Sequence, residues 1–229
     1  MTEQISECIK FIMDNYETNK KQFENQAPKG PLSLKFETIS KKIVNHYPNE
    51  MEYHIYNQNN TFCKQNYYSK YGVGLGGWAG IPWIGIFHRT AEPTQGINMG
   101  FLFSEDMQNI YLIIGQGTEN EYASVEDLVR IRDFIRNNYA VSSEFRNDNK
   151  LWLADTKKGK YYKESTIFYK EYSIDSLQSD DELFYDLDNC FKLYKKIIED
   201  NNHSAIISKK IANELSNKPS FEDFKKMIK

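Results

Sequence analysis

Apolar positions recur along this chain at two spacings. Ile5, Ile9, Ile12 and Tyr16 fall three or four residues apart, which lines them up on one face of a helix and predicts that element over residues 3 to about 24. The pattern returns from Leu34 to Val44 after the break Pro28-Lys29-Gly30-Pro31, so two helices are expected to open the chain. Between Met51 and Lys70, the positions Tyr53, Ile55 and Phe62 fit either a strand hairpin turning at Asn57-Gln58-Asn59-Asn60 or a loop.

Further on the spacing shortens to two. Pro82 to His88, Ile97 to Phe103 and Ile110 to Gly115 are apolar runs separated by turn-forming residues, predicting a three-stranded meander. In the second run Ile97, Met99, Phe101 and Phe103 share a face, leaving Asn98, Gly100 and Leu102 on the other. Trp83, Gly85 and Phe87 share a face in the same way. Glycines on two adjacent strands leave gaps beside Trp83 and predict a shallow pocket.

Ser124 followed by Asp127 resembles a capping box for a helix running to about Tyr139, with Leu128, Ile131 and Ile135 inward and Arg130, Arg132 and Arg136 around its solvated side. Strands are then expected at Lys150 to Asp155 and Ser165 to Lys170, joined by the basic segment Lys157-Lys158-Gly159-Lys160-Tyr161-Tyr162-Lys163. Ser179 and Glu182 cap a helix with Leu183, Leu187, Phe191 and Tyr194 inward. A last helical pair is expected through Ile206, Ile211, Leu215, Phe221 and Phe224. The fold expected is α+β, a small mixed or antiparallel sheet flanked by helices, with residues 1–198 as the main domain and 199–229 as a helical C-terminal extension.

Composition narrows the function. With 229 residues, 40% hydrophobic and 14% aromatic, the chain is long enough to bury a substantial core. A formal net charge of −3 gives no global attraction for nucleic acid, so DNA binding would need a local basic surface. Cys8, Cys63 and Cys190 lack C-x-x-C spacing, which argues against a disulfide framework or a zinc knuckle and for a reducing compartment. No signal peptide or membrane-length apolar run is present, so a cytoplasmic protein is expected. The four histidines show no ligand spacing, and no metal or cofactor is expected.

The densest chemistry lies between Gly72 and Phe87, where glycines alternate with Trp78 and Trp83. Glycine lets backbone approach a ligand closely, and an indole offers a flat apolar face. Gly72, Gly74 and Gly77 match G-x-G-x-x-G, but Pro82 and the strand-like Ile84-Gly85-Ile86 follow where a dinucleotide site needs a helix. No Walker loop occurs. Trp78 is expected to anchor the loop.

The spacing G-x-G-x-x-x-x-x-P-W, then Gly96-Ile97, Phe101-Leu102-Phe103, an I-Y-L strand and a Q-G turn resembles the McrB N-terminal DNA-binding domain family, the recognition part of a restriction system that attacks DNA carrying modified cytosine. The resemblance is densest from Gly72 to Gly117 and extends over about residues 5 to 198. It implies a non-enzymatic module that grips double-stranded DNA, flips a modified base such as 5-methylcytosine and encloses it in an aromatic pocket, in an anti-phage setting. Trp83 matches the stacking residue and Leu102 a pocket wall. Leu75 and Asn98 stand where the family has tyrosines; Asn98 is placed to meet the edge of an extruded base and Leu75 to wedge into the vacated stack. Gly74 and Gly76 would let backbone approach the DNA. Tyr161 or Tyr162 supplies a later pocket aromatic, and Lys157, Lys158 and Lys160 are candidate phosphate contacts. The family's GTP-driven motor has no counterpart here, so a motor or nuclease effector would come from another domain or chain. The alternative is a protein-interaction subunit that recruits an effector without base flipping.

Overall fold

The computed structural model describes residues 3–24, 26, 30–54, 64–74, 77–118, 124–202 and 204–205. Among these residues five helices, α1 (Ile5–Gln22), α2 (Pro31–His46), α3 (Val125–Asn138), α4 (Lys157–Ser165) and α5 (Asp180–Asp200), accompany six strands. These are β1 (Met51–Tyr53), β2 (Tyr67–Gly72), β3 (Trp83–His88), β4 (Ile97–Phe103), β5 (Asn109–Gln116) and β6 (Phe168–Ser173). The strands lie in one sheet in sequence order. The fold is α+β with a mixed sheet, and the meander β3–β4–β5 forms where the period of two predicts it.

Capping explains where several helices begin. Ser124 and Asp127 exchange hydrogen bonds at the start of α3, and Ser179 and Glu182 do the same at α5, each box satisfying otherwise orphaned backbone donors. Pro31 begins α2, where its missing N–H costs nothing.

Two expectations need correction. Met51 pairs with Tyr67 and Tyr53 with Ser69, so β1 and β2 run parallel; a tight hairpin cannot join parallel neighbours, which need a crossover of a dozen or more residues. The Asn57–Asn60 turn lies outside the described residues. The second correction concerns the basic segment, which is the helix α4, preceded by irregular chain rather than by a strand over Lys150 to Asp155. Thr156 caps it by accepting a hydrogen bond from Gly159 N at 3.1 Å. Gly159 also lets the helix press onto Ala154, whose carbonyl would lie 2.2 Å from an added Cβ. The strand after it is displaced to Phe168–Ser173.

The sheet is apolar on both faces. Ile84, Ile86, Met99, Phe101, Phe103, Leu112 and Ile114 belong to the main core with residues of α1, α2, α3 and α5. On the opposite face Leu102, Tyr111, Ile113 and Tyr169 pack under Leu151, Leu153 and Ala154. Because alternate residues serve different cores, a one-residue slip of β4 would exchange them, and burial holds the register. Tyr194 ties α5 to the sheet: its hydroxyl accepts from His88 N and donates to Ile97 O, both at 2.9 Å. The expected helical extension is only partly within the described residues. α5 runs through position 199 to Asp200 and Ala205 meets β4 through Ile97 N, 2.7 Å from its carbonyl, whereas residues 206–229 lie outside them.

Candidate nucleic-acid interface

Register sets the site. Across β3 and β4, Trp83 lies opposite Leu102, Gly85 opposite Gly100 and Phe87 opposite Asn98, so these six positions share the face opposite to that of Ile84, Ile86, Met99 and Phe101. They border a shallow, open pocket whose lining also includes Ile113, Gln116 and Tyr162.

Glycine determines how the aromatic wall is seated. Gly72 pairs with Trp83 across β2 and β3, and a Cβ on Gly72 would lie 2.3 Å from the indole Cε2. The indole therefore occupies the space a side chain would need. Its other ring neighbour is Phe87, edge-on at 5.9 Å and 81°. The gap at Gly85 is not left empty, because the Phe87 ring covers it, 2.3 Å from where a Cβ would stand. Gly100 plays a different part. At φ +153° its Cβ would collide with the Ile84 carbonyl oxygen at 2.1 Å, so it permits backbone to approach backbone beneath the pocket.

The glycine loop is fastened at both ends. Gly74 has φ +111°, and an added Cβ would lie 2.0 Å from Gly77 O, a geometry only glycine accepts. Ala79 N donates to Val73 O at 2.9 Å, and Tyr16 donates its hydroxyl to Ala79 O at 2.8 Å. Trp78 anchors the loop on α1, as expected: its Nε1 donates to Phe23 O at 2.9 Å, and its ring meets Tyr16 edge-on at 5.1 Å. Leu75 and Gly76, two of the candidate DNA contacts, lie outside the described residues.

α4 forms the other side of the site. Tyr162 lines the pocket and Tyr161 does not, a choice set by helical spacing that the sequence left open. Lys157, Lys158 and Lys160 are exposed, with Lys157 Nζ 5.7 Å from the Tyr161 ring and Lys158 Nζ 5.8 Å from that of Tyr162. Of the three α3 arginines expected on a solvated face, Arg130 keeps that place with its side chain 39% exposed, whereas Arg132 and Arg136 are otherwise engaged. Arg132 is 5% exposed and bound to Asp133 and Glu164. Arg136 donates to Ile167 O and Thr166 O at 2.7 and 2.9 Å; burial, reinforced by nearby Arg132, brings its guanidinium down to about 10. Both cations hold the α4–β6 junction instead of facing a ligand.

Gln116 and Phe87 line the pocket although their sequence context did not mark them as ligand contacts. Phe87 was legible on the Trp83 face by period, and Gln116 sits in the quoted Q-G turn, but nothing in the pattern pointed either at a ligand. Among the described lining residues there is no carboxylate, imidazole, thiol or lysine. Such a surface can stack, exclude water and offer amide hydrogen bonds, but supplies no nucleophile with a paired base. Among the described residues no helix is long and apolar enough to cross a membrane, and no group of His, Cys, Asp and Glu gathers to hold a metal ion.

A family model described as MrcB-like, N-terminal domain matches residues 12–199, a span that contains the whole sheet, the glycine loop and α4. No curated protein was found to match the chain.

Proposed function

Since the chain belongs to the MrcB-like N-terminal domain family, we propose that it is the DNA-binding specificity module of a modification-dependent restriction system and reads a flipped base in the pocket beside Trp83. The family supports the coarser part, a DNA-binding module of a restriction system. The finer part rests on one observation above all: an indole seated on Gly72 at the edge of an open pocket that is walled by aromatic and aliphatic groups and holds no catalytic set.

The energetics suit that role. Extruding a base costs a few kcal/mol, and stacking on an aromatic side chain returns about 1–3 kcal/mol per base. A Trp83 platform with Leu102 and Tyr162 as walls would offset most of the cost for a base that fits. Phosphate contacts from Lys157, Lys158 and Lys160 would add affinity without sequence information. Cleavage would fall to an effector in another domain or chain.

The deciding experiment is equilibrium binding to matched duplexes carrying cytosine, 5-methylcytosine, 5-hydroxymethylcytosine, its glucosylated form or N6-methyladenine, at two salt concentrations. Preference for one modified duplex, lost in Trp83→Ala while salt-dependent general binding persists, is the expected result. Full discrimination by a folded Trp83→Ala variant refutes the platform. No DNA binding even at low salt would instead favour a protein-interaction subunit.

A further inference from the structure

A base that leaves the stack stays joined to two phosphates, and among the described residues that line the pocket there is no cation to meet them. The strand register supplies one just outside. Lys70 of β2 lies opposite Gly85, between Tyr68, which faces Phe87, and Gly72, which faces Trp83, so its side chain stands on the pocket side of the sheet. Its diagonal neighbours on that face of β3 are Trp83 and Phe87; such positions are about 7–8 Å apart, within reach of long side chains.

Aromatic rings surround this lysine. The indole covers Gly72, two residues further along β2, and the Phe87 ring covers Gly85, directly across from Lys70. On the other side Tyr68 stacks on Phe87 at 5.3 Å and 29° and is tied down by donating its hydroxyl to Ala91 O at 2.8 Å. Rings therefore occupy the sheet surface on three sides of Lys70. The half-exposed side chain carries its charge outward past them, because an ammonium stays hydrated while its methylene stem lies along apolar surface. Among the described strand residues the only other lysine or arginine is Lys170, which lies on the opposite face beside Leu112, bound to Asp186 and Glu144.

We propose that Lys70 holds a phosphate flanking the flipped base, so that the site takes a nucleotide and not a base alone: the ring on Trp83, the phosphate on Lys70. The inference rests on the base-flipping reading above. In a stacked duplex the phosphates follow the helix outside the pocket, and extrusion is what carries one up to the Trp83 platform. A contact from Lys70 therefore forms in the flipped state and not in the stacked one, and a contact made in one of two states shifts the balance toward that state. The phosphate contacts proposed for Lys157, Lys158 and Lys160 differ, because they are made with any duplex.

The test uses the full chain and the tightest-bound of the modified duplexes named above, with its unmodified counterpart as reference; no preference for any modified duplex overturns the base reading and this proposal together. Lys70→Met, which keeps the stem and removes the charge, should weaken binding to the modified duplex about tenfold and flatten its salt dependence by about 0.9. Binding to unmodified DNA and thermal unfolding should not change, and Lys70→Arg should retain most of the affinity. A neutral methylphosphonate in place of one phosphate flanking the target base should cost the unaltered chain a similar factor at one of the two positions, and cost Lys70→Met nothing further there. A folded Lys70→Met that binds the modified duplex as tightly as the unaltered chain overturns the proposal. So do equal losses on modified and unmodified DNA, a methylphosphonate that costs nothing at either position, and additive losses from variant and methylphosphonate. Trp83→Ala separates the two levels. If it abolishes base preference while Lys70 fails any of these tests, only the role of Lys70 falls; if base preference survives it, the platform reading falls and takes this one with it.

Discussion

Replacing Gly72 by alanine attacks the platform without altering any group that would touch DNA. The new Cβ would stand 2.3 Å from Trp83 Cε2, 2.4 Å from Cζ2 and 2.5 Å from Nε1, whereas carbon atoms rest about 3.5–4.0 Å apart, so the indole must withdraw by about 1.2 Å or more. Gly72 is paired with Trp83 itself across β2 and β3, so the strand could yield instead only by giving up that pairing. The displaced ring gives up its seat on the backbone and its edge-on packing with Phe87. Two effects follow. Overpacking costs about 1–3 kcal/mol of stability, which for a chain of this size lowers the melting temperature by about 2–12 °C. The stacking contribution of about 1–3 kcal/mol is also forfeited in large part, reducing affinity for the preferred base up to about 5- to 150-fold. Affinity for unmodified DNA should change little. Fluorescence polarisation with preferred and unmodified duplexes, alongside thermal melting by circular dichroism, measures both. A Gly72→Ala protein that melts lower but keeps its full base preference would show that the indole is a core side chain and that the base, if read at all, is read elsewhere.

Replacing Lys157, Lys158 and Lys160 together by alanine should weaken binding to all duplexes alike and flatten the dependence of log affinity on log salt by about 0.9 for each phosphate that is no longer neutralised; an unchanged slope removes α4 from the interface. Asp180 offers a test of the scaffold. Its carboxylate accepts from Ile5 N at 2.8 Å and from Ser6 N at 2.9 Å, joining the start of α1 to the start of α5. Burial pushes this carboxyl up, but the hydrogen bonds from Ser6 and Ile5 outweigh it and hold the group below its ordinary value. The stabilisation is therefore complete above the ordinary aspartate pKa of about 3.9 and is lost as pH falls through the lowered one. Asp180→Ala should cost about 1 kcal/mol near neutral pH, about 2–4 °C in melting temperature, and diminish the loss of stability on acidification. Equal melting of the two proteins from pH 7 down to pH 3 contradicts this.

Local periodicity made much of this fold legible. The meander β3–β4–β5 is visible because alternate residues serve opposite faces of a sheet, and the starts of α3 and α5 because their capping boxes are confined to four residues. The pairing of β1 with β2 was hidden: a three-residue strand has too few positions to show a period, and no local signal marks a parallel partner. α4 was missed because its nine residues are dominated by lysine and tyrosine and bury only Gly159 and Ser165, leaving no apolar stripe. The arginines of α3 misled for a related reason. Charge predicts solvent, but Arg132 and Arg136 enter the structure to satisfy carbonyls at the α4–β6 junction, a need that exists only once those segments meet.

For the site the division follows the same physics. From the chain alone came the face shared by Trp83, Gly85 and Phe87, the opposing face of Asn98, Gly100 and Leu102, and the family that the Pro-Trp motif resembles, because all of these depend on spacing within one strand or loop. Tertiary structure alone decided which glycine seats the indole, that Phe87 fills the gap at Gly85, that Tyr162 rather than Tyr161 reaches the pocket, and that the Gln116 amide donates to carbonyls of α3 and the end of α4. Each of those facts joins residues far apart in sequence. Their meeting is set by strand register and helix packing, which the order of residues specifies only through the folded whole.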